Sequence, residues 1–243
     1  MAEEIQFTGN AHSCCVCFID VVDSTKITAI EITDPEKIKR FYSIFINTMA
    51  AIARNFGANV IKSTGDSLIY YFPETVDSPN NVSAFKNIFE CGLTMISVNP
   101  ILNVKLQKED GLPNLSYRIS ADYGRVEVAT SLTSATEDLF GSTVSICAKI
   151  NSMAPANGMV IGSNLYQVTK ASCVDDYHFN KIDEYPIDDN SNNQYSVYSI
   201  ISKDKMSNNK RKKLYKNMLW NIILYFYKSW VTFDSPIYHF SRS

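Results

Sequence analysis

The chain has 243 residues, of which 45% are apolar and 20% charged, with a formal net charge of −2, and such a composition predicts a globular protein with a sizeable core. The charge is unevenly divided, because residues 1–202 carry 14 Lys or Arg against 23 Asp or Glu, whereas residues 203–243 carry 9 against 2. An acidic body argues against nucleic acid as a partner, since phosphate contacts need a surface rich in Lys and Arg.

The N-terminus and the cysteines favour a cytoplasmic protein. Residues 1–9 lack a basic segment followed by an apolar run, so no secretory signal is expected, and the six cysteines are predicted to be reduced thiols. Cys14 and Cys17 form a C-x-x-C pattern, but no second Cys or His pair stands at zinc-site spacing, so packing inside a strand is predicted. The three histidines lie outside the motifs described below and are predicted to be structural or on the surface: His12, His178 and His239.

The first predicted element is a buried strand over Cys14–Val22, interrupted only by Asp20. Asp23-Ser24-Thr25 follows, with short side chains that can cap a helix and backbone amides that can then face an anion. Thr33-Asp34-Pro35-Glu36 predicts the start of a long helix, since it offers a capping residue, a Pro for the first position and an acid in the first turn. The apolar stripe of that helix has three- and four-residue spacing and stops before Gly57: Ile38, Phe41, Phe45, Met49, Ile52 and Phe56.

The next element is a predicted antiparallel hairpin. Its two strands, Ala58–Ile61 and Leu68–Phe72, flank the sequence Lys62-Ser63-Thr64-Gly65-Asp66. Asp66 at the turn would expose both carboxylate oxygens as metal ligands, and Lys62 could face the same cleft. Gly-Asp in a hairpin is also ordinary turn chemistry, and this second interpretation stays open at this point.

The remaining elements complete an α+β pattern. They are a helix over Val82–Val98, a polar connection over Lys105–Asn114, a hairpin of Leu115–Asp122 with Arg125–Thr130 around Tyr123-Gly124, a helix over Ser142–Met153, and strands over Met159–Gly162 and Gln194–Ile201. This order predicts an antiparallel sheet with helices packed on it.

The C-terminal tail combines a basic cluster with an apolar segment. The cluster lies within residues 210–216, and the apolar segment, Met218–Tyr227, is half of the roughly 20 residues that a membrane span needs. Three interpretations remain: a helix lying on an anionic membrane surface, packing on the body or on a partner subunit, and a poorly ordered end.

Two carboxylates could form a metal site. Asp20 at the end of the first strand and Asp66 at the hairpin turn could meet in space, and with the carbonyl of Val21 they offer the hard oxygen ligands that suit Mg²⁺ or Mn²⁺. Two metal ions that clamp a triphosphate are one established use of such ligands. The alternative is a pair of strand-end carboxylates in water.

Three motifs resemble the catalytic domain of the class III nucleotidyl cyclases. They are Phe18-Ile19-Asp20-Val21-Val22-Asp23-Ser24-Thr25, then Lys62-Ser63-Thr64-Gly65-Asp66, and then Asp138-Leu139-Phe140-Gly141-Ser142-Thr143-Val144-Ser145 leading to Lys149. The resemblance spans Ser13 to Ile201 and includes the segment from Met153 to Ile161. It implies a ferredoxin-like antiparallel sheet and three regions: an N-terminal segment 1–12, the catalytic domain 13–201 and a basic, aromatic C-terminal extension 202–243.

The resemblance also implies roles for individual residues. Asp20 and Asp66 match the two metal aspartates, and Val21 matches the residue that lends a backbone carbonyl. Lys62 and Asp138 match the pair that reads the purine, and Lys with Asp is the combination associated with adenine, whereas Glu and Cys-like pairs go with guanine. The residues matching the loop whose amides hold the β- and γ-phosphates are Asp23, Ser24 and Thr25, after Val22.

Three positions depart from the family pattern. Ser145 replaces the Asn that orients the ribose and offers one donor instead of two. Lys149 replaces the Arg that contacts the transition-state phosphate, and it keeps the charge but loses the planar fork. Asp23 stands where many members have Gly, and a helix N-cap is the other explanation for it. Weak or absent turnover is therefore an alternative.

The function implied is an adenylate cyclase that converts ATP to 3′,5′-cyclic AMP and pyrophosphate with two Mg²⁺ or Mn²⁺ ions per active site. In the family each active site combines residues of two subunits, so a head-to-tail homodimer with shared sites is predicted, in the cytoplasm and with peripheral membrane contact through the tail as an option. The alternatives are a weak or inactive cyclase-like module for nucleotide binding or dimerisation, and a guanylate cyclase.

Overall fold

The computed structural model describes residues 7–63, 65–131, 137–173, 175–186 and 194–203, all of which belong to one unit, Met1–Asp204. In chain order the elements are β1 Phe7–Val21, α1 Ser24–Lys26, a π-helical segment Ile27–Glu31, α2 Pro35–Asn55, β2 Asn59–Ser63, β3 Ser67–Phe72, α3 Val82–Asp110, β4 Tyr117–Ser131, β5 Glu137–Phe140, α4 Ser142–Asn151, β6 Gly158–Gly162, α5 Ser163–Cys173, β7 Tyr177–Pro186 and β8 Gln194–Ser202.

The strands form one mixed sheet with β1 near its centre. Within the described residues the strand order is β2-β3-β1-β4-β6-β8-β7, and β5 pairs with the far part of β4. Both neighbours of β1 run antiparallel to it, whereas β4 and β6 pair in parallel. The order β2-β3-β1-β4 is that of a ferredoxin-like core, so the predicted α+β fold with a mainly antiparallel sheet is confirmed.

Local sequence signals set the bounds of α2. The Asp34 side chain accepts a hydrogen bond of 2.9 Å from the amide of Glu36, and Pro35 takes the first helical position. The predicted stripe faces the interior, where Phe41, Phe45, Met49 and Ile52 are buried. Gly57 follows the helix with φ +85°, a conformation that favours glycine. The sequence prediction for this helix is confirmed.

Helices cover both faces of the sheet near β4. The ring of Tyr117 packs against Phe45 of α2 with centroids 5.6 Å apart, and its hydroxyl donates to the carbonyl of Met95 on α3. Side chains alternate along a strand, so Ser120 points the other way, and its hydroxyl donates a 2.8 Å hydrogen bond to the carbonyl of Cys147 on α4. The face that carries Ser120 therefore also carries Arg118, together with Asp20, its register partner on β1.

The hairpin predicted around Tyr123-Gly124 is wrong, because β4 runs unbroken from Tyr117 to Ser131. A Cβ atom on Gly124 would lie 2.6 Å from Oγ1 of Thr143, at the N-terminal end of α4. The glycine therefore permits close packing between α4 and β4 instead of marking a turn. Glycine is the sequence signal both for a turn and for the close approach of a helix to a strand, so the residue type alone does not distinguish the two.

The polar connection predicted over Lys105–Asn114 is also wrong, since α3 continues past Pro100 to Asp110 and ends at Gly111 with φ +60°. Asn103 ties this extended end of the helix to the chain before β4, because its side-chain oxygen accepts a 2.7 Å hydrogen bond from the amide of Leu115. The polar residues of this segment lie on a helix.

The strands β5 and β7 and the helix α5 were not predicted from the sequence.

The described residues contain no helix that combines the length and the apolar character needed to cross a membrane. The predictions for the extension 202–243 fall, after Lys203, outside the described residues, as does the one for His239.

A buried carboxylate joins β4 to α5 and β8. Asp122 is fully buried, and one of its oxygens accepts a 2.6 Å hydrogen bond from the hydroxyl of Tyr195 while the other accepts a 3.2 Å bond from the amide of Leu165. A Cβ atom on Gly162 would lie 2.4 Å from the carboxylate, so only glycine fits beside it. Burial raises the pKa of Asp122 to about 6, although these hydrogen bonds oppose the shift.

This pKa predicts acid stabilisation from Asp122. A carboxyl whose folded-state pKa is raised contributes stability at pH values below its ordinary pKa of 3.8, and this contribution is lost as the pH rises through about 6. From pH 7.5 to pH 5 the free energy of unfolding of the wild type should gain roughly 1.4 kcal/mol relative to Asp122→Asn. Urea denaturation of both proteins at the two pH values measures the difference between their free energies of unfolding. If the wild type gains no stability relative to Asp122→Asn in acid, the assignment is contradicted.

Candidate active site

The carboxylates of Asp20 and Asp66 are brought together by the pairing of β1 with β3. Asp20 is in register with Ser67, the first residue of β3, and Asp66 directly precedes that residue. The amide of Val21 donates a 3.1 Å hydrogen bond to the backbone carbonyl of Asp66, which ties the hairpin turn to the end of β1. Two acidic residues 46 positions apart in the sequence therefore lie side by side.

The electrostatics of this pair favour a bound cation. The pKa of Asp20 is raised above its ordinary value, first because the carboxyl is partly removed from water and second because the charge of Asp66 lies close. The Arg118 charge and a hydrogen bond with the backbone of Val21 lower the pKa of Asp20 and so offset part of the shift. A divalent ion between the two carboxylates would remove their mutual repulsion.

The donor set at this position fits Mg²⁺ or Mn²⁺. Carboxylate and carbonyl oxygens are hard ligands, which these ions prefer. No group of three or more His, Cys, Asp or Glu side chains in the described part of the chain stands where it could hold a metal ion. Ions at this site would therefore depend on the carboxylates of Asp20 and Asp66 and the carbonyl of Val21, with water and nucleotide phosphates completing the coordination.

Arg118, which lies opposite Asp20 on β4, was not predicted from the sequence as a site residue. One terminal nitrogen, Nη1, donates a 3.1 Å hydrogen bond to the carbonyl of Ser152, next to the end of α4. Its Nε is buried without a hydrogen-bond partner among the described residues. A guanidinium beside the carboxylate pair is suited to a phosphate. The signal that could have revealed it is a single charged residue within the predicted strand Leu115–Asp122, ahead of the acidic end of that strand.

The turn after β1 is built differently from the capped helix that was predicted. Asp23 occupies the N-cap position of α1, but its side chain makes no capping hydrogen bond and its backbone is left-handed, with φ +56°. Gly adopts this conformation freely, and Asp is among the few other residues that tolerate it. The conformation therefore gives a physical reason for the glycine that the resemblance implies at this position. The capping explanation for Asp23 is wrong.

The helical segment that follows carries Ser24 and Thr25 in its first turn. The amide of Ile27 is used within the turn, where it donates a 3.0 Å bond to the carbonyl of Asp23. Amides in the first turn of a helix have no intrahelical acceptor, so those of Ser24 and Thr25 are available to an anion. The segment then widens into the π-helical turn Ile27–Glu31, a form often found at functional sites.

Lys62 and Asp138 come from two strands that touch. Lys62 lies in β2, not in the turn as predicted, and it pairs with Ile69 just after a register shift at Ile61. Asp138 lies in β5, where it is half-buried and accepts a 2.8 Å bond from the amide of Leu139. The strands β2 and β5 are in contact, and Ile61 packs against the apolar cluster that contains Leu139. The backbone thus brings the proposed base-reading pair to one region.

Ser145 and Lys149 lie one turn apart on the exposed face of α4. The opposite face of this helix is buried: Thr143, Cys147, Ile150 and Asn151. Two side chains of that face attach α4 to the strands, since the Cys147 thiol donates to the carbonyl of Val16 at 3.3 Å and the Asn151 amide nitrogen lies 3.4 Å from the carbonyl of Phe18. The helix is held so that Ser145 and Lys149 face outward.

The remaining candidate metal-binding side chains are used in packing or in surface contacts. All six cysteines are free and buried, so Cys14 and Cys17 lie in the core, and burial raises the pKa of Cys14 to about 12. His12 shares a 2.8 Å hydrogen bond with Asp77, which also accepts from the amide of Ser13. His178 lies in β7, in register with Ile201.

Several solved structures share this fold. The guanylyl cyclase Cya2 superposes with a TM-score of 0.69 at 17% identity, covering 81% of this chain and 95% of that one. The adenylyl cyclase CyaB from P. aeruginosa gives 0.69 at 16% identity, with 82% and 98% covered. The guanylate cyclase domain of RhGC from Catenaria anguillulae in complex with GTP gives 0.63 at 18% identity, with 80% and 100% covered. At sequence identities this low, the similarity shows only that these proteins share the fold.

No curated protein sequence matches the chain. The family model described as the adenylate and guanylate cyclase catalytic domain matches residues 8–202, which is most of the chain. Domains of this family generally use divalent metal ions, and the carboxylates of Asp20 and Asp66 are donors of the kind that such ions prefer. The chain therefore belongs to the family of adenylate and guanylate cyclase catalytic domains, as the three motifs in its sequence indicated.

Proposed function

We propose that the chain is an adenylate cyclase whose catalytic domain, residues 13–201, converts ATP to 3′,5′-cyclic AMP and pyrophosphate. The observation that carries the proposal is the pairing of Asp20 with Asp66 at the end of β1, beside Arg118 and the amides of the following turn. Carboxylates, a guanidinium and open amides together provide for two cations and a triphosphate.

Two Mg²⁺ or Mn²⁺ ions would be held by the carboxylates of Asp20 and Asp66 and by the carbonyl of Val21. When bound, such ions make the ribose 3′-hydroxyl more acidic and neutralise the departing pyrophosphate. The ribose 3′-oxygen forms a bond to the α-phosphorus, the bond from that phosphorus to the β-phosphate oxygen breaks, and the hydroxyl proton leaves to solvent. The protein supplies orientation and charge, not a nucleophile.

The chain's own residues divide this work. The amides of Ser24 and Thr25 bind the β- and γ-phosphates in the turn that Asp23 shapes, and Arg118 adds a fixed positive charge near them. Lys149 neutralises the negative charge that grows on the α-phosphate, and Ser145 donates to the ribose ring.

Adenine is the proposed base because of Lys62 and Asp138. The Asp138 carboxylate accepts a hydrogen bond from the exocyclic amine, and Lys62 donates to a ring nitrogen. The contact between β2 and β5 supports this arrangement. Guanylate cyclase is the competing assignment, since both adenylyl and guanylyl cyclases share the fold.

A head-to-tail homodimer with two shared sites is the proposed active form. Ser145 and Lys149 are exposed on α4, where a second subunit could meet them, and the nearby Phe140 leaves 41% of its surface exposed. In that dimer the aspartates of one subunit act with α4 of the other. We further propose a cytoplasmic location, with membrane contact, if it occurs, made through residues 202–243.

A catalytically weak or inactive nucleotide-binding module is the second candidate, and a specific observation favours it. Ser145 and Lys149 stand where the resemblance predicts Asn and Arg, and both substitutions shorten or simplify the donor groups. Such a module would bind ATP with metal and release no pyrophosphate.

A competition assay tests the proposed substrate. With equal concentrations of ATP and GTP and either Mn²⁺ or Mg²⁺, cyclic AMP should be the main product by mass spectrometry. Asp138→Ala should lower kcat/KM for ATP by about tenfold through the lost base contact, whereas Asp183→Ala, at an exposed position on β7, should not change it. A product that is mainly cyclic GMP would reverse the assignment, and ATP binding without product would favour the second candidate.

A further inference from the structure

The buried end of α4 carries an asparagine that contacts two strands of the sheet. Asn151, the last residue of the helix, keeps only 5% of its surface exposed. Its side-chain nitrogen lies 3.4 Å from the carbonyl oxygen of Phe18 on β1 and 3.3 Å from that of Arg118 on β4. The hydroxyl oxygen of Ser120, also on β4, lies 3.2 Å from the same nitrogen. The two N–H bonds of this amide thus serve three acceptors, all of which belong to strands.

The hydroxyl of Ser120 fixes the orientation of the Asn151 amide. This hydroxyl donates a 2.8 Å hydrogen bond to the carbonyl of Cys147 on α4, so its proton is committed and its oxygen accepts. The two backbone carbonyls are acceptors as well. The nitrogen of Asn151 must therefore face the strands, because its side-chain oxygen has no proton to donate to them.

A second hydrogen bond joins the same two backbone segments in the opposite direction. Nη1 of Arg118 donates to the carbonyl of Ser152, the residue after Asn151, at 3.1 Å. The hydroxyl of Ser152 donates to the carbonyl of Lys149 at 2.8 Å. The last turn of α4 is therefore joined to β4 by a reciprocal pair of contacts from side chain to backbone, and Lys149 belongs to that turn.

We infer that Asn151 is a positioning residue for Lys149: it fixes the last turn of α4 against β1 and β4, and so determines where the lysine side chain leaves the helix. The inference rests on the proposed function, in which Lys149 acts on the α-phosphate. Residues two positions apart lie about 200° apart around a helix, so Asn151 holds the buried face while Lys149 occupies the exposed one. A tilt of α4 at its buried face moves the lysine, and small misplacements of a group that acts on the transition state cost rate steeply.

Steady-state kinetics on Asn151→Ala tests the inference. The kcat for cyclic AMP formation should fall about tenfold with little change in KM, because the loosened helix misplaces a group that acts mainly on the transition state. Asn103→Ala is the matched control, since Asn103 joins α3 to the chain before β4: its side chain donates a 2.9 Å hydrogen bond to the carbonyl of Leu115 and accepts a 2.7 Å bond from the amide of that residue. This control should unfold at a lower urea concentration than the wild type, as Asn151→Ala does, but with kcat and KM unchanged.

A double variant separates positioning from general loosening of the fold. With Lys149→Ala already in place, Asn151→Ala should lower the remaining kcat by less than about twofold, because the group that it misplaces is gone. Asn151→Ser keeps a single short donor and should cause a smaller loss of kcat than the alanine variant. The serine variant takes the place of Asn151→Ala in both measurements if the alanine variant does not fold.

Three results would overturn the inference and leave the proposed function intact. They are an unchanged kcat in the folded variant of Asn151, an equal loss of kcat with and without Lys149→Ala, and the same loss of kcat in Asn103→Ala. A wild type that forms no cyclic nucleotide would overturn the proposed function and the inference with it.

Discussion

Mixing an Asp20→Ala chain with a Lys149→Ala chain should restore cyclase activity to about a quarter of the wild-type rate, although each variant alone is nearly inactive. Half of the dimers formed at random contain one chain of each kind. In the proposed head-to-tail dimer, such a pair has one site with both defects and one with none. Activity is recovered because the two residues belong to different halves of the proposed shared site. Asp20 lies near the end of β1 of one subunit, and Lys149 lies on the exposed face of α4 of the other.

The matched control pairs two defects of the same half-site. Mixing Asp20→Ala with Asp66→Ala should restore nothing, since every site in the mixed dimer then lacks one metal aspartate. Subunit exchange is verified by mass spectrometry of differently tagged chains. Equal recovery of cyclase activity in both mixtures would contradict shared sites. So would the absence of recovered activity in verified mixed dimers of Asp20→Ala and Lys149→Ala chains.

Lys149 should control kcat more than substrate binding. Lys149→Ala is expected to lower kcat on the order of 10²-fold with little change in KM, because the lost charge acts mainly on the transition state. Lys149→Arg should raise kcat by about tenfold, since a planar fork matches two phosphate oxygens where an ammonium matches one.

The control for this series is Lys170→Ala, which removes an exposed positive charge from the last turn of α5. Steady-state kinetics on the three variants should leave Lys170→Ala at the wild-type rate. A Lys149→Arg enzyme slower than the wild type would show that this chain has adapted its site to lysine. A Lys149→Ala enzyme with unchanged kcat would remove Lys149 from the mechanism.

The sequence predicted best those features that depend on neighbouring residues. The bounds of α2 follow from Asp34 and Pro35 at one end and Gly57 at the other, all of which act within a turn of their own position. The strand end at Asp20 and the hairpin turn at Asp66 were also visible as local patterns, whereas the approach of the two residues depends on the pairing of β1 with β3.

The features that the sequence did not predict depend on what lies across the fold. Gly124 resembles a turn residue until Thr143 is seen 2.6 Å from the position of a Cβ atom. Arg118 is recognised as a site residue only from its register pairing with Asp20 on another strand.

We propose that the carboxylates of Asp20 and Asp66 support the cyclisation of ATP. The decisive measurement is the mass of the product that the purified, dimeric protein forms from ATP with Mn²⁺, with Asp66→Ala measured in parallel. We expect cyclic AMP and pyrophosphate in equal amounts from the wild type, and at least about 10²-fold less of both from the variant. Equal product from both proteins, or no cyclic nucleotide from a folded dimer that binds ATP, would contradict it.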